Sequence, residues 1–230
     1  MLYTRQAVQD NLRNRQGKRV FYLGKGDQLT SDARDFLNRE RIEILPAEKA
    51  KPEQYRLLSG GFTEEKPEHM THLNGDVLVL KTHPRIRFRG MVDTLEAELL
   101  LCCQQAQGET RQQLEQVLEQ VRFLLRCEVL EEPIGDLPLC GMTPDEIRSR
   151  SHRPQDYYGQ PHFMPQPEDG LLLLQVNRAR CAARNAELAA VEAFLDREGR
   201  PVRSHFLQAM NRISSMLYLI MIRLKANKQE

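Results

Sequence analysis

The stretch LLLLQVNRARCAARNAELAAVEAF, residues 171–194, decides how the chain is read. At about 100° per residue it forms a helix on which Leu173, Val176, Val191 and Phe194 share one face. Arg180, Arg184 and Glu187, four and three residues apart, fall on that same apolar face, whereas Arg178 and Asp196 point the other way. Buried charge is costly unless paired, so this trio needs partners. Two alternatives stand. Nearby carboxylates such as Asp93 and Glu187 pair with the arginines and lock a bundle, or at least one arginine grips a phosphate, which suits its planar fork.

Working outward, five long or medium helices account for most of the chain. Pro84 suits a first helical turn, and its helix runs towards Gly108. Residues 109–130 follow, with Leu114, Val117, Leu118, Val121, Leu124 and Leu125 in one stripe. Residues 143–151 begin with Thr143 as cap and Pro144 behind it. Helices over 171–198 and 201–225 finish the chain. In the last, Phe206, Ile213, Leu217, Ile220 and Leu224 form the core stripe, and Ser204, Gln208, Asn211, Ser215 and Tyr218 form a polar seam. Asn and Tyr stand there in place of Lys and Glu, which points to a ligand or another subunit. Between the helices, YYGQPHFMP (157–165) is a packed lid or a wall for a large flat ligand.

Residues 1–46 read differently. RVFYL (19–23) and IEIL (42–45) are strands around a helix capped by Thr30, Ser31 and Asp32. Residues 47–68 are polar and broken by Pro and Gly, as a linker is. The expected fold is therefore mainly α: a helical bundle of about five helices over 69–230, with a small N-terminal α/β module over 1–46.

The 230 residues carry 33 basic and 32 acidic side chains, so no global field draws the protein to nucleic acid or membrane. No apolar run reaches the roughly 18 residues of a membrane span, and the opening MLYTRQAVQDNLRNRQGKR lacks a secretory pattern. Five cysteines without a CxxC pair read as reduced thiols; Cys102 and Cys103 are helix packing residues. A cytoplasmic location is expected. His69 and His72 have the spacing of a helical metal pair, but no Cys or carboxylate lies at zinc-site spacing. His152 and His162 are structural or metal-binding. The LNGD turn (73–76) offers backbone N–H groups to a phosphate without being a P-loop. The Glu-x-x-His pairs of a di-metal bundle are missing from the long helices.

Three stretches, in order, resemble the ATP:cob(I)alamin adenosyltransferases: KTHPRIRFRGMVDTL (81–95), FMPQPEDGLLLLQVNRARCAARNAE (163–187) and MNRISSMLY (210–218). THLNGD, EEPIGDLPLCGMTPDEIRSRSHRPQDYYGQPHFMP and LTSDARDFLNRERIEI are similar to the ethanolamine-utilisation type, and LTSDARDFL-like modules to proteins of bacterial microcompartments. The resemblance implies transfer of the 5′-deoxyadenosyl group of ATP, with Mg²⁺, onto cob(I)alamin. It gives Asp93 and Arg180 to the pair that bridges subunits near the corrinoid, and Arg184, Glu187 and Asn211 to ATP. Lys81 matches a lysine near the phosphates, and Phe163 the aromatic residue that displaces the corrinoid's lower ligand. Thr71, Asn74 and Gly75 stand in for a longer phosphate loop, and Ser215 stands where propanediol-type enzymes carry Asp. His72 remains of a metal-binding pattern, yet LLSGGFTEEKPEHM holds no cysteine, so no structural metal is expected. A homo-oligomer is implied, a trimer first, with other microcompartment proteins as partners. The rival is a non-catalytic corrinoid-binding, delivery or microcompartment interaction protein.

Overall fold

The computed structural model describes residues 1–15, 18–47 and 55–227, in two compact units that meet in sequence at Lys81 and Thr82. No helix among the described residues is long and apolar enough to cross a membrane.

In the first unit, strands β1 (Leu2–Tyr3), β2 (Arg13–Arg15), β3 (Lys18–Gly24), β4 (Gln28–Leu29) and β5 (Glu43–Ala47) surround helices α1 (Arg5–Asp10) and α2 (Ser31–Arg39). β3 pairs antiparallel with β2 and parallel with β5, and β1 pairs parallel with β4. The βα pattern expected for 1–46 is present. Thr30 is the cap of α2, its hydroxyl accepting from the Ala33 N–H at 3.3 Å, while Ser31 and Asp32 sit inside the first turn. Val8, Leu12, Phe21, Ala33, Phe36, Leu37 and Ile42 form a small core.

The expected boundaries shift beyond that point. Part of the proposed linker lies outside the described residues. The rest contributes to a sheet of order β7-β6-β9-β8, from β6 (Tyr55–Leu57), β7 (Phe62–Thr63), β8 (Met70–Asn74) and β9 (Val77–Leu80). Residues 69–81, expected with the bundle, thus belong to the first unit. The reason is the run Val77–Val79, buried throughout, which is too short for a helix and reads as a buried strand.

The second unit is the bundle: α3 (Pro84–Gln105), α4 (Gly108–Val129), α5 (Pro144–His152), the short α6 (Pro154–Tyr158), α7 (Leu171–Phe194) and α8 (Ser204–Ala226). Cross-links give the directions. Arg85 and Arg122 reach Glu128 and Glu96, so α3 and α4 run antiparallel; Arg87 and Arg178 reach Glu192 and Glu98, so α3 and α7 do too. Phe88, Phe194 and Phe206 pack edge-to-face with centroids 5.0–5.7 Å apart. The guanidinium of Arg203 lies 4.8 Å from the Phe206 ring centroid. Burial lowers the Arg203 pKa from its ordinary value. α8 is the central element, buried from Phe206 to Ile222 on most of its surface. Cys102 and Cys103 are buried packing residues as expected, and burial pushes the Cys102 thiol up to about 12.

The PRIRFR segment supplies an anchor. Arg85 Nε and Arg89 Nε donate to the two carboxylate oxygens of Glu128 at 2.5 and 2.6 Å, and Glu128 is fully buried. Burial disfavours the charge on Arg85, but its attraction to Glu128 and its hydrogen bonds to Glu131 and Glu128 together raise its pKa. Removing one member of a buried ion pair costs about 3–5 kcal/mol because the other charge stays behind. Glu128→Ala is therefore expected to destabilise the bundle by about that amount, read as a lower urea midpoint at unchanged slope, with a smaller loss in Glu131→Ala.

Candidate functional site

Of the apolar residues that the sequence places on the core face of α7, Leu173, Val176 and Phe194 are buried, but the structure corrects the depth of the charged trio beside them. The deeply buried stripe is Ala179, Ala183, Ala186 and Ala190, together with Val176 and Phe194. At about 100° per residue those alanines centre roughly a quarter-turn from Arg180, Arg184 and Glu187. Arg180 and Glu187 are therefore half-buried on the flank of the helix and Arg184 is exposed. Hydrophobicity puts weight on Leu and Val, whereas close helix packing selects small side chains; Leu188 accordingly stays 65 % exposed.

That flank faces the polar seam of α8. Asn211 Nδ2 donates to Glu187 Oε1 at 2.7 Å. Two turns away, the Arg180 guanidinium lies 5.8 Å from the centroid of the Tyr218 ring. The two rungs are seven residues apart on each helix, so α7 and α8 run antiparallel with the rungs separated by about 10 Å of helical rise. Arg184 sits between them. Among the described residues it has no hydrogen-bond or ion-pair partner.

The Glu187 rung rests on Arg212, which sequence reading passed over. Arg212 is 5 % exposed, donates through Nε to the carbonyl of Pro144 at 2.7 Å, and donates through Nη1 to Asn211 Oδ1. Because Oδ1 accepts from Arg212, the Asn211 amide must present its N–H group to Glu187, and the orientation of Asn211 follows. Burial, then repulsion from Arg148, lower the Arg212 pKa. Pro144 is itself placed by a capping box, in which Thr143 and Glu146 exchange side-chain and backbone bonds at 2.8 and 3.3 Å. The backbone N–H of Thr143 is the main cause of a lowered Glu146 pKa. A cation inside an otherwise apolar helix, directly after Asn, was the available signal for Arg212.

The second rung gathers the aromatic loop. Phe163 stacks on Tyr218 with centroids 6.3 Å apart, and His162 stacks on the same ring at 5.7 Å. The loop is thus packed against α8, as a lid is, and it leaves Phe163 half-buried. Both nitrogens of His162 are engaged, with Tyr218 and with the His152 carbonyl.

Asp93 is exposed on α3 and makes no ion pair with Arg180 within the chain; Arg180 Nε and Nη2 instead donate to Asn177 Oδ1 at 3.2 Å. Of the two alternatives read from sequence, pairing of Arg180 and Arg184 with Asp93 and Glu187 is not seen among the described residues. A cavity of about 210 Å³ between α3 and α7 is lined by Thr94, Glu98, Arg178, Cys181 and neighbours, and by none of the expected site residues.

In the first unit, Thr71 and Asn74 lie on β8 and Gly75 opens the turn to β9. Gly75 has φ +50°, and a Cβ there would fall 2.8 Å from the Asn14 carbonyl oxygen, so no side chain fits. His72 Nδ1 donates to the Gly75 carbonyl at 3.1 Å. His69 precedes the strand and His72 is within it, so their spacing is not helical. Among the described residues no three His, Cys, Asp or Glu side chains cluster as metal ligands. Lys81 Nζ pairs with Glu68 at 3.1 Å, both exposed, and this bond lowers the Glu68 pKa.

Comparison with known proteins fits this arrangement. Residues 61–224 match the family model described as cobalamin adenosyltransferase. The chain is 31 % identical over 225 residues to corrinoid adenosyltransferase EutT of Salmonella typhimurium strain LT2, a match covering 87 % of this chain and 84 % of that one. It is 31 % identical over 166 residues to the protein of the same name from Escherichia coli strain K12, covering 72 % of this chain and 61 % of that one. The motifs on α3, α7 and α8, and a family match over residues 61–224, lead to one conclusion: the chain belongs to the cobalamin adenosyltransferase family.

Proposed function

We propose that the protein transfers the 5′-deoxyadenosyl group of ATP to cob(I)alamin, as an adenosyltransferase of the ethanolamine-utilisation type. The observation that carries this is the two-rung flank between α7 and α8, with the Arg184 guanidinium, unpartnered among the described residues, between a carboxylate–amide pair and an aromatic cluster. Glu187 and Asn211 hold the nucleoside end of ATP. Arg184 is assigned to the triphosphate with its Mg²⁺; in the first unit the family resemblance gives Lys81 to the phosphates and Thr71, Asn74 and Gly75 to a shortened phosphate loop. Phe163 lies against the lower face of the corrin.

Cobalt supplies the hard chemistry, since Co(I) is already a strong nucleophile. Its electron pair forms the bond to C5′, the C5′–O bond breaks, and that pair leaves with the triphosphate. The protein aligns the two substrates and offers positive charge where the leaving group becomes more negative. An apolar Phe163 in place of a donor ligand eases the one-electron reduction of Co(II) to Co(I). Ser215, where propanediol-type enzymes carry Asp, lies one turn from Asn211 on α8 and leaves the nucleotide end less acidic.

The decisive assay is ATP-dependent formation of a light-sensitive alkylcobalamin under anaerobic reduction. Arg184→Ala is expected to lower kcat/KM by about 10²-fold with chemically reduced corrinoid, as loss of one charge-stabilising donor does; full activity in this variant overturns its role. Phe163→Ala is expected to lose much more activity from Co(II) than from Co(I), and equal losses contradict its place beneath the corrin.

The same reading makes the protein a homo-oligomer, a trimer first, working in the cytoplasm or inside a microcompartment, with residues 1–46 meeting other microcompartment proteins. Exposed Asp93, without an ion-pair partner among the described residues, supports a bridge to Arg180 of another copy. Light scattering is expected to give a smaller species for Asp93→Ala than for the unaltered protein; identical masses contradict the bridge.

A further inference from the structure

The loop ahead of α7 carries Phe163, and a ring on a loop acts at a defined place only if something fixes it. We propose that Tyr218 is the positioning residue for Phe163, holding it by ring stacking and by a hydroxyl tether to the adjacent His162. The inference rests on the assignment of Phe163 to the corrinoid.

The tether has a direction. His162 Nε2 lies 3.2 Å from the His152 carbonyl, which only accepts, so Nε2 carries the proton. In the neutral ring Nδ1 is then an acceptor, and the Tyr218 hydroxyl donates to it at 2.9 Å. The His162 and Tyr218 rings lie 10° from parallel, and the Phe163 ring 23°. Beyond Phe163, Lys225 Nζ lies 5.6 Å from its centroid and is ion-paired with buried Asp169. Asp169 also accepts from the Gln166 N–H at 2.8 Å, closing the turn before α7. The loop is thus pinned to α8 at Tyr218 and again at Lys225, two helical turns apart. Tyr218 further connects the loop to α7, because its ring takes the Arg180 guanidinium. No other residue touches Phe163, His162 and Arg180 together among the contacts described, so one side chain sets the ring that meets the corrin against the helix that meets ATP.

The sequence contains no tryptophan, so Phe163→Trp places a single fluorophore at the ring. In that background Tyr218→Phe, which keeps the stacking ring and removes the hydroxyl, is expected to raise the acrylamide quenching constant about twofold. His162→Ala, which also removes the stacked ring and the His152 bond, is expected to give at least as large a rise, and Tyr218→Phe to add nothing to it, because the bond between the two side chains is already gone. In the chain with Phe163 intact, Tyr218→Phe is expected to reduce the ratio of Co(II)-started to Co(I)-started adenosylation by roughly fivefold, the bias one hydrogen bond gives. The Co(II) arm uses a mild reductant that does not reduce the free corrinoid. Unchanged quenching with an unchanged ratio, or quenching effects of the two variants that add, overturns the proposal. If the unaltered protein forms no adenosylated corrinoid, the functional assignment fails, and the quenching experiment still decides the clamp.

Discussion

Close packing of α7 through alanine is the constraint from which the rest follows. Ala179, Ala183, Ala186 and Ala190 are all buried, and side chains of that size let neighbouring helices approach without ridges that must interdigitate. With the core face occupied by alanine, the arginines and Glu187 are displaced to the flank. There they stay half in solvent, so the desolvation that makes buried charge expensive is largely avoided. A charged seam beside a tight core is open to an anion and rigid behind it.

Behind the seam, buried charges are hydrogen-bonded and fix the groups beside them. Arg212 is buried among apolar side chains of α8, yet its donors are aimed at the Pro144 carbonyl and the Asn211 amide. The orientation of Glu187 is therefore set from α5, through the cap at Thr143, across α8 to α7. Glu128, held by Arg85 and Arg89, does the same for α3 and α4. In both places a buried charge is tolerated because it is hydrogen-bonded: Glu128 by two arginines of α3, and Arg212 by the Pro144 carbonyl of α5 and by Asn211 of its own helix.

Much of this was legible in the sequence. Helix periodicity, Thr30 and Thr143 as caps and Pro84 at a first turn placed the long elements to within a few residues. The four strands over 55–80 were missed because short paired strands carry little periodicity and their polar residues resemble a linker. Leu173, Val176 and Phe194 of α7 are buried as read, but the charged trio was placed too deep because the alanines that centre the buried stripe were given too little weight. Site residues were named from motif resemblance, and spacing alone left pairing and phosphate binding as equal alternatives. Arg212 could not be distinguished from a solvent-facing arginine until the carbonyl of Pro144, 68 positions earlier in the chain, was brought beside it.

The central claim is that the flank between α7 and α8 receives the nucleotide at one end and the corrin at the other. Hydrogen–deuterium exchange, with and without ATP, magnesium and cobalamin under reducing conditions, tests it most directly. The account predicts slower exchange concentrated in peptides spanning 180–187 and 211–218, together with the Phe163 loop. Exchange that is unaltered in those peptides, while slowing elsewhere in the bundle on ligand addition, would contradict it.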